Sequence, residues 1–175
     1  MRGAELLVIH YRTPGLAAAL LADLAPLAGE ARVLVFDNAS LPETRARLEA
    51  AAPFAEVLSS ERNLGFAGAV NAALPQLRGE RLWLLNSDLR IPTPRASLAA
   101  LEQALASDPR VAAVGPALRD PSGALPPGGG GRELGLRSAA RHLLGLNLRD
   151  GEGGLFLQAR ALRGGPRPVD WLAGA

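Results

Sequence analysis

Short apolar runs alternate with longer segments of helical periodicity up to about residue 118. Leu6–Ile9, Val33–Phe36, Phe54–Leu58, Leu82–Leu85 and Val111–Leu118 read as five strands. Leu16, Leu20, Leu21 and Leu24 give one apolar face to a first helix. Phe66, Val70, Ala73, Leu74 and Leu77 do so for a third helix, and Leu98, Leu101 and Leu105 for a fourth. Local punctuation supports the same division. Thr13-Pro14 and Thr93-Pro94 each combine a capping hydroxyl with a proline at the first helical position. Ser40-Leu-Pro-Glu43 reads as a capping box for the second helix, and Asp108-Pro109 closes the fourth. Helical segments between apolar strands predict βαβ units and hence an α/β fold, Rossmann-like, with a doubly wound and mainly parallel sheet.

The run Arg81-Leu-Trp-Leu-Leu-Asn-Ser-Asp88 is apolar on both faces, which predicts a strand in the middle of the sheet with helices covering it. It ends on three polar residues. In open parallel sheets ligands bind beyond the carboxyl ends of the strands, so Asp88 stands where a ligand is expected. Asp37 ends the second strand in the same way. Its carboxylate suits a ribose hydroxyl or a pyrimidine imide N–H, or else an Asx-turn leading into the second helix; Asn38 suits the turn better than a ligand. The segment Asn63-Leu-Gly-Phe-Ala-Gly-Ala-Val-Asn71 opens the third helix with two glycines, which let backbone N–H groups approach an anion. Gly68 also permits close helix–sheet packing. The first strand ends His10-Tyr11-Arg12, where a pyrimidine could rest; a buried, satisfied His10 is the alternative.

Beyond residue 120 the pattern weakens. Asp120-Pro-Ser-Gly123 is a turn signal, and the four glycines before Arg132, beside two prolines, are expected to be mobile and without regular structure. Arg132–Leu148 is weakly helical, Leu155–Leu162 reads as a strand or a helical turn, and Val169–Ala175 as a strand after the break at 164–168. The expected division is an α/β core over 1–120 that carries the candidate ligand-binding strand ends, an irregular connection over 121–168, and a terminal strand of the same domain over 169–175.

Composition narrows the function. At 175 residues, 48% hydrophobic and 21% charged, the chain can bury a core and is not disordered. The pI of about 10.3 is misleading, because the net charge is +2 and every basic residue is Arg. These Arg residues are interleaved with acids instead of clustered, which argues against a nucleic-acid partner. With no Cys, thiolate metal sites are excluded, and the presence of only His10 and His142 argues against a His-rich zinc site. No run approaches a membrane span and no signal-peptide core is visible. A cytoplasmic location is expected, with attachment to a membrane surface left open.

Six blocks, in order, carry a family resemblance: Val8-Ile-His-Tyr11, Phe36-Asp-Asn-Ala-Ser40, Asn63-Leu-Gly-Phe-Ala-Gly68 with Asn71, Leu84-Leu-Asn-Ser-Asp88, Val114-Gly-Pro116 with Asp120-Pro-Ser-Gly123, and Val169-Asp-Trp-Leu-Ala-Gly-Ala175. Together they resemble the N-terminal, donor-binding part of a glycosyltransferase family 2 enzyme of the GT-A fold, rhamnosyltransferase-like. The resemblance implies a UDP- or dTDP-activated sugar, Mg²⁺ or Mn²⁺, and inverting transfer to a glycan or lipid-linked acceptor. Asp37 would contact base or ribose, Asn63 would line the nucleotide pocket, and Asp88 would be the metal-binding acid of an Asp-x-Asp-like motif whose first acid is here Asn86. Trp171 and Gly174 would form the sugar-side wall. The implied donor-binding set is thus His10, Tyr11, Arg12, Asp37, Asn63, Gly65, Asn71, Asn86, Ser87 and Trp171, with Asp88 for the metal. The family's general base and acceptor contacts are expected beyond Ala175, so the C-terminal part of the domain would be missing. A nucleotide-binding or interaction module without catalysis is the competing reading. Apolar surface left uncovered near Trp171 and the fifth strand is expected to be buried by self-association or by residues 125–165 folding over it.

Overall fold

The computed structural model describes residues 3–126, 129–146, 156–157 and 165–173. The chain divides into two compact units, Met1–Ala99 and Ala100–Ala175. In the first, β1 (Ala4–His10), β2 (Arg32–Asn38), β3 (Ala55–Ser60) and β4 (Arg81–Asn86) form one sheet in the order β3-β2-β1-β4. All three pairings are parallel, with Leu7 opposite Leu34 and Leu84, and His10 opposite Asp37. Helices α1 (Pro14–Leu24), α2 (Pro42–Ala51) and α3 (Gly65–Ala73) connect successive strands, and α4 (Pro94–Ala106) follows β4.

Side-chain alternation along the strands sorts the core into two layers. Leu6, Val8, Val33, Val35, Val57 and Leu85 pack with Ala17, Leu20, Leu21, Leu24, Leu48 and Leu98 on one face. Leu7, Ile9, Leu34 and Phe36 pack with Ala69 and Ala73 of α3 on the other. Helices thus cover both faces, as the doubly wound pattern predicts. Each fully buried leucine contributes about 2 kcal/mol of burial free energy.

The position of β4 differs from expectation. Among the described residues it pairs only with β1, at the sheet edge, and its Leu82 and Leu84 are exposed. An apolar run records what a strand can bury and carries no information about which strand becomes its neighbour. The predicted strand over Val111–Leu118 is not formed; those residues adopt no regular structure. The predicted caps also differ. Thr13 precedes α1 and Leu41 precedes α2, and neither donates or accepts a side-chain cap bond. The hydroxyls of Thr13 and Ser40 are drawn to His10 instead.

In the second unit the turn at Asp120 forms as its sequence predicts, with Asp120 Oδ1 accepting from the N–H groups of Ser122 and Ala124. The glycine run corrects an expectation. Gly130–Gly131 is a short strand, β5, antiparallel to β6 (Trp171–Leu172). A Cβ on Gly130 would come within 3.0 Å of the Trp171 carbonyl oxygen, so glycine here permits close pairing. Helix α5 (Leu136–Leu143) is shorter than the span over 132–148. Most of Leu155–Leu162, and Gly174, lie outside the described residues.

Candidate functional site

The first unit opens a cavity of about 370 Å³ at the carboxyl ends of its strands, lined by Ile9 of β1, Asn38 of β2 and Asn86 of β4. It lies where the strand order reverses between β1 and β4, the switch point at which parallel sheets bind ligands. Of the residues singled out from sequence, Tyr11, Asn63, Gly65, Asn86, Ser87 and Asp88 line it. Thr13, Leu16, Asn38 and Phe66 join them. Leu16 and Phe66 belong to the apolar faces predicted for the first and third helices, yet both are exposed at the cavity. Their helices bury Ala17 and Ala69 in their place.

Asn38 organises one wall. Its Nδ2 donates to Asn63 Oδ1 at 2.9 Å and to the Gly65 carbonyl at 3.3 Å, and its Oδ1 accepts from the Leu64 N–H at 2.8 Å. Asn63 Oδ1 also accepts from the Gly65 N–H at 2.8 Å. Gly65 has φ +69, a conformation that glycine adopts without strain. These bonds fix the backbone that opens α3. Asn38, read from sequence as a turn residue, is therefore a structural part of the pocket. Gly68 sits against Leu64, whose Cβ would lie 2.9 Å from an added methyl; the close approach is within this loop and not to the sheet. Asn71 is exposed on α3 and does not line the cavity.

Asp37 and His10 lie behind the opposite wall. Both are buried, His10 completely, and neither lines the cavity. Strand alternation turns them to the face that carries α1 and α2, one residue out of phase with Ile9 and Asn38. Asp37 Oδ1 is buried without a hydrogen-bond partner, 4.0 Å from His10 Nε2. His10 Nδ1 lies 3.3 Å from Thr13 Oγ1, and Nε2 lies 3.3 Å from Ser40 Oγ. Thr13 Oγ1 continues to Ser87 Oγ at 3.1 Å. Burial pushes the His10 imidazole below its ordinary pKa, with the Asp37 carboxylate opposing that shift. Arg12 donates its backbone N–H to Ser40 Oγ and stacks its guanidinium over the Tyr11 ring. Asp37 and Asp88 thus occupy different surroundings, not one shared hollow.

Asp88 is exposed, lines the cavity, and its carboxylate makes no hydrogen bond or ion pair with the described residues. No group of three or more His, Cys, Asp or Glu able to enclose a metal occurs among the described residues. A single carboxylate beside the Asn86 amide suits a hard cation that draws its remaining oxygen ligands from water and a bound diphosphate. Trp171 belongs to the second unit, where its indole N–H donates to the Arg132 carbonyl and its ring meets Phe156 edge to face. Among the described residues no helix is long and apolar enough to cross a membrane.

The sequence profile of glycosyl transferase family 2 matches residues 7–162. N-acetylglucosaminyl-diphospho-decaprenol L-rhamnosyltransferase of Mycobacterium tuberculosis is 28% identical over 153 residues, covering 82% of this chain and 50% of the relative. The chain therefore spans about half the length of the curated relatives it matches. Among solved structures, a mannosyltransferase from Pyrobaculum calidifontis, in complex with GDP-Man and Mn²⁺, aligns with TM-score 0.54 and 24% identity over 61% of this chain and 33% of its own. Glucosyl-3-phosphoglycerate synthase from M. tuberculosis, in complex with Mn²⁺, UDP and glucosyl-3-phosphoglycerate, aligns with TM-score 0.53 and 18% identity over 89% of this chain and 53% of its own.

Proposed function

Because the chain belongs to glycosyl transferase family 2, we propose that its strand-end cavity binds the nucleoside diphosphate of a UDP- or dTDP-linked sugar. The observation that carries this reading is the unpartnered Asp88 carboxylate beside Asn86 and Ser87, facing the wall set by Asn38 and Asn63 across one cavity. Asp88, with Asn86, would hold Mg²⁺ or Mn²⁺, which supplies neutralisation of the leaving diphosphate when bound. Tyr11, Phe66 and Leu16 present apolar surface to the base, and Gly65 brings backbone close to the ligand. Asp37 acts from behind the wall and not by direct contact. The proposed reaction is inverting sugar transfer to a lipid-linked or glycan acceptor, lipid-linked acceptors being the chemistry named for the mycobacterial relative.

Calorimetric titration of UDP, dTDP and GDP, each with and without Mn²⁺, tests this. Saturable binding of UDP or dTDP that strengthens with Mn²⁺, and loses that gain in Asp88→Asn, is expected. Binding indifferent to both metal and Asp88 removes the metal role, and a preference for GDP overturns the assignment of the base. One observation favours a second reading, a nucleotide-binding module without transfer. Asp88 is the only acid lining the cavity among the described residues, and attack by an acceptor hydroxyl needs a base to take its proton. Transfer from labelled donor to a polyprenyl-diphosphate acceptor above the uncatalysed rate rejects the module.

A further inference from the structure

One buried titratable side chain is left without a task by the reading above. His10 lies fully inside the first unit, and its ring nitrogens point to two different parts of the site. Nδ1 meets Thr13 Oγ1 at 3.3 Å, and Thr13 Oγ1 meets Ser87 Oγ at 3.1 Å. Nε2 meets Ser40 Oγ at 3.3 Å and faces Asp37 Oδ1 at 4.0 Å. Ser40 Oγ in turn accepts the Arg12 N–H at 3.1 Å. The chain Ser40–His10–Thr13–Ser87 therefore crosses beneath the cavity, from the end of β2, past the end of β1, to the turn after β4.

We propose that His10 is a positioning residue that sets the Asp37 end of β2 and the Ser87–Asp88 turn in fixed relation, so that the nucleoside and diphosphate sides of the pocket are organised together. The proposal rests on the donor-binding reading given above. Two observations support it independently of that reading. Asp37 Oδ1 is buried and lacks a donor, so the proton of a neutral imidazole belongs on Nε2, the nitrogen facing it. Nδ1 is then an acceptor for the Thr13 hydroxyl, and Thr13 Oγ1 is free to accept from Ser87. The two non-glycine residues with left-handed backbone are Arg12 (φ 55) and Ala39 (φ 66) among the described residues, and they flank this knot on either side. Such conformations persist where surrounding bonds over-determine them.

Protonation of His10 would make both nitrogens donors and break the Thr13-to-His10 direction. The groups facing the ring are Asp37 from β2, Ser40 from the loop after it, Thr13 from the loop before α1, and Ser87 beyond β4. Asp37 is the only charged one among the described residues, since the Arg12 guanidinium lies over Tyr11.

The test pairs a ligand-free and a ligand-bound readout on His10→Asn and Thr13→Val. Imidazole nitrogen shifts of the wild-type protein should show the Nε2–H tautomer, and Thr13→Val should disturb it. UDP–Mn²⁺ affinity should fall by about tenfold in either variant, the scale seen for groups that orient a ligand from behind. Wild-type affinity should fall as pH drops below the ordinary imidazole value, and His10→Asn should show a smaller fall, the remainder being protonation of the UDP phosphate itself. Thr13→Val keeps His10 and its packing, so it serves if His10→Asn does not fold. An Nδ1–H tautomer, or wild-type affinity and pH profile in both variants, overturns the proposal. If the wild-type protein binds no nucleotide with Mn²⁺, the donor-binding reading and the claim that His10 organises a donor pocket both fail, while the tautomer result still reports the hydrogen-bonded chain separately.

Discussion

The two ends of the parallel sheet are built on opposite terms. At the amino ends of the strands, Glu5 is buried, yet both of its oxygens are used. Oε1 accepts from Arg32 at 2.8 Å, and Oε2 accepts from the N–H groups of Arg78 and Gly79 at 2.6 and 2.8 Å. Arg32 also donates to Glu56 and to the Gln76 carbonyl. At the carboxyl ends, Asp37 Oδ1 is buried without a donor, the Asp88 carboxylate is unpartnered, and two residues hold left-handed backbone without being glycine. One end joins the chain segments leading into β1, β2 and β4 with satisfied charges. The other leaves Asp88 unpaired at the cavity, where an incoming ligand could complete it, and Asp37 Oδ1 unpaired in the wall behind.

This contrast separates substitutions that cost stability from those that cost binding. Glu5→Ala leaves two backbone N–H groups without an acceptor and Arg32 half paired. It should lower unfolding stability by about 3 kcal/mol in urea titration while nucleotide affinity of the folded protein is unchanged. A loss of affinity with stability retained would erase the distinction between the ends. Asn38→Ala removes the three bonds that hold the loop before α3. A stability loss of about 1–2 kcal/mol is expected, together with weaker UDP binding, read by denaturation and calorimetry.

Acid titration gives the smaller, sharper discrimination. Burial alone would raise the Glu5 pKa, but the Gly79 N–H, Arg32 and the Arg78 N–H together hold it below the ordinary carboxylate value. Its contribution to stability is therefore complete above about pH 4.5 and is lost as pH falls through the lowered folded value. His10 is held below its ordinary value by burial. A buried neutral imidazole must charge on acidification, so its contribution is complete above about pH 6.5 and declines as pH falls toward its folded value. Thermal melts should show two acid-dependent losses. His10→Asn should abolish the one nearer neutrality, and Glu5→Gln should reduce the more acidic one, which Asp23, Glu30, Asp108 and Asp120 share because their pKa values are lowered too.

Much of the sheet was legible in the sequence, because apolar runs and Pro-initiated helices are local signals. The alternation of β1 to β4 with α1 to α4, and the placement of Asn63, Asn86, Ser87 and Asp88 at strand ends, followed from these alone. What failed depended on tertiary choice. Thr13 and Ser40 carry the local signature of caps, yet a buried imidazole between them offers both hydroxyls a partner. The apolar content of β4 suited a central strand, but its neighbours are set by topology. Asp37 and Asn38 are adjacent and both polar, and strand alternation alone decides that Asn38 faces the cavity while Asp37 is buried behind it. That parity was available from the apolar partners Val35 and Phe36, which pack on opposite faces.

The most direct measurement uses Mn²⁺ as its own probe. Adding trace Mn²⁺ to the UDP-saturated protein broadens the resonances of nearby amides. The account predicts broadening at Tyr11, Asn38, Asn63 to Phe66 and Asn86 to Asp88, with Glu5, Arg32 and Glu56 at the far end of the same strands unaffected. Broadening centred on the Glu5 end, or none that is specific to either end, would contradict it.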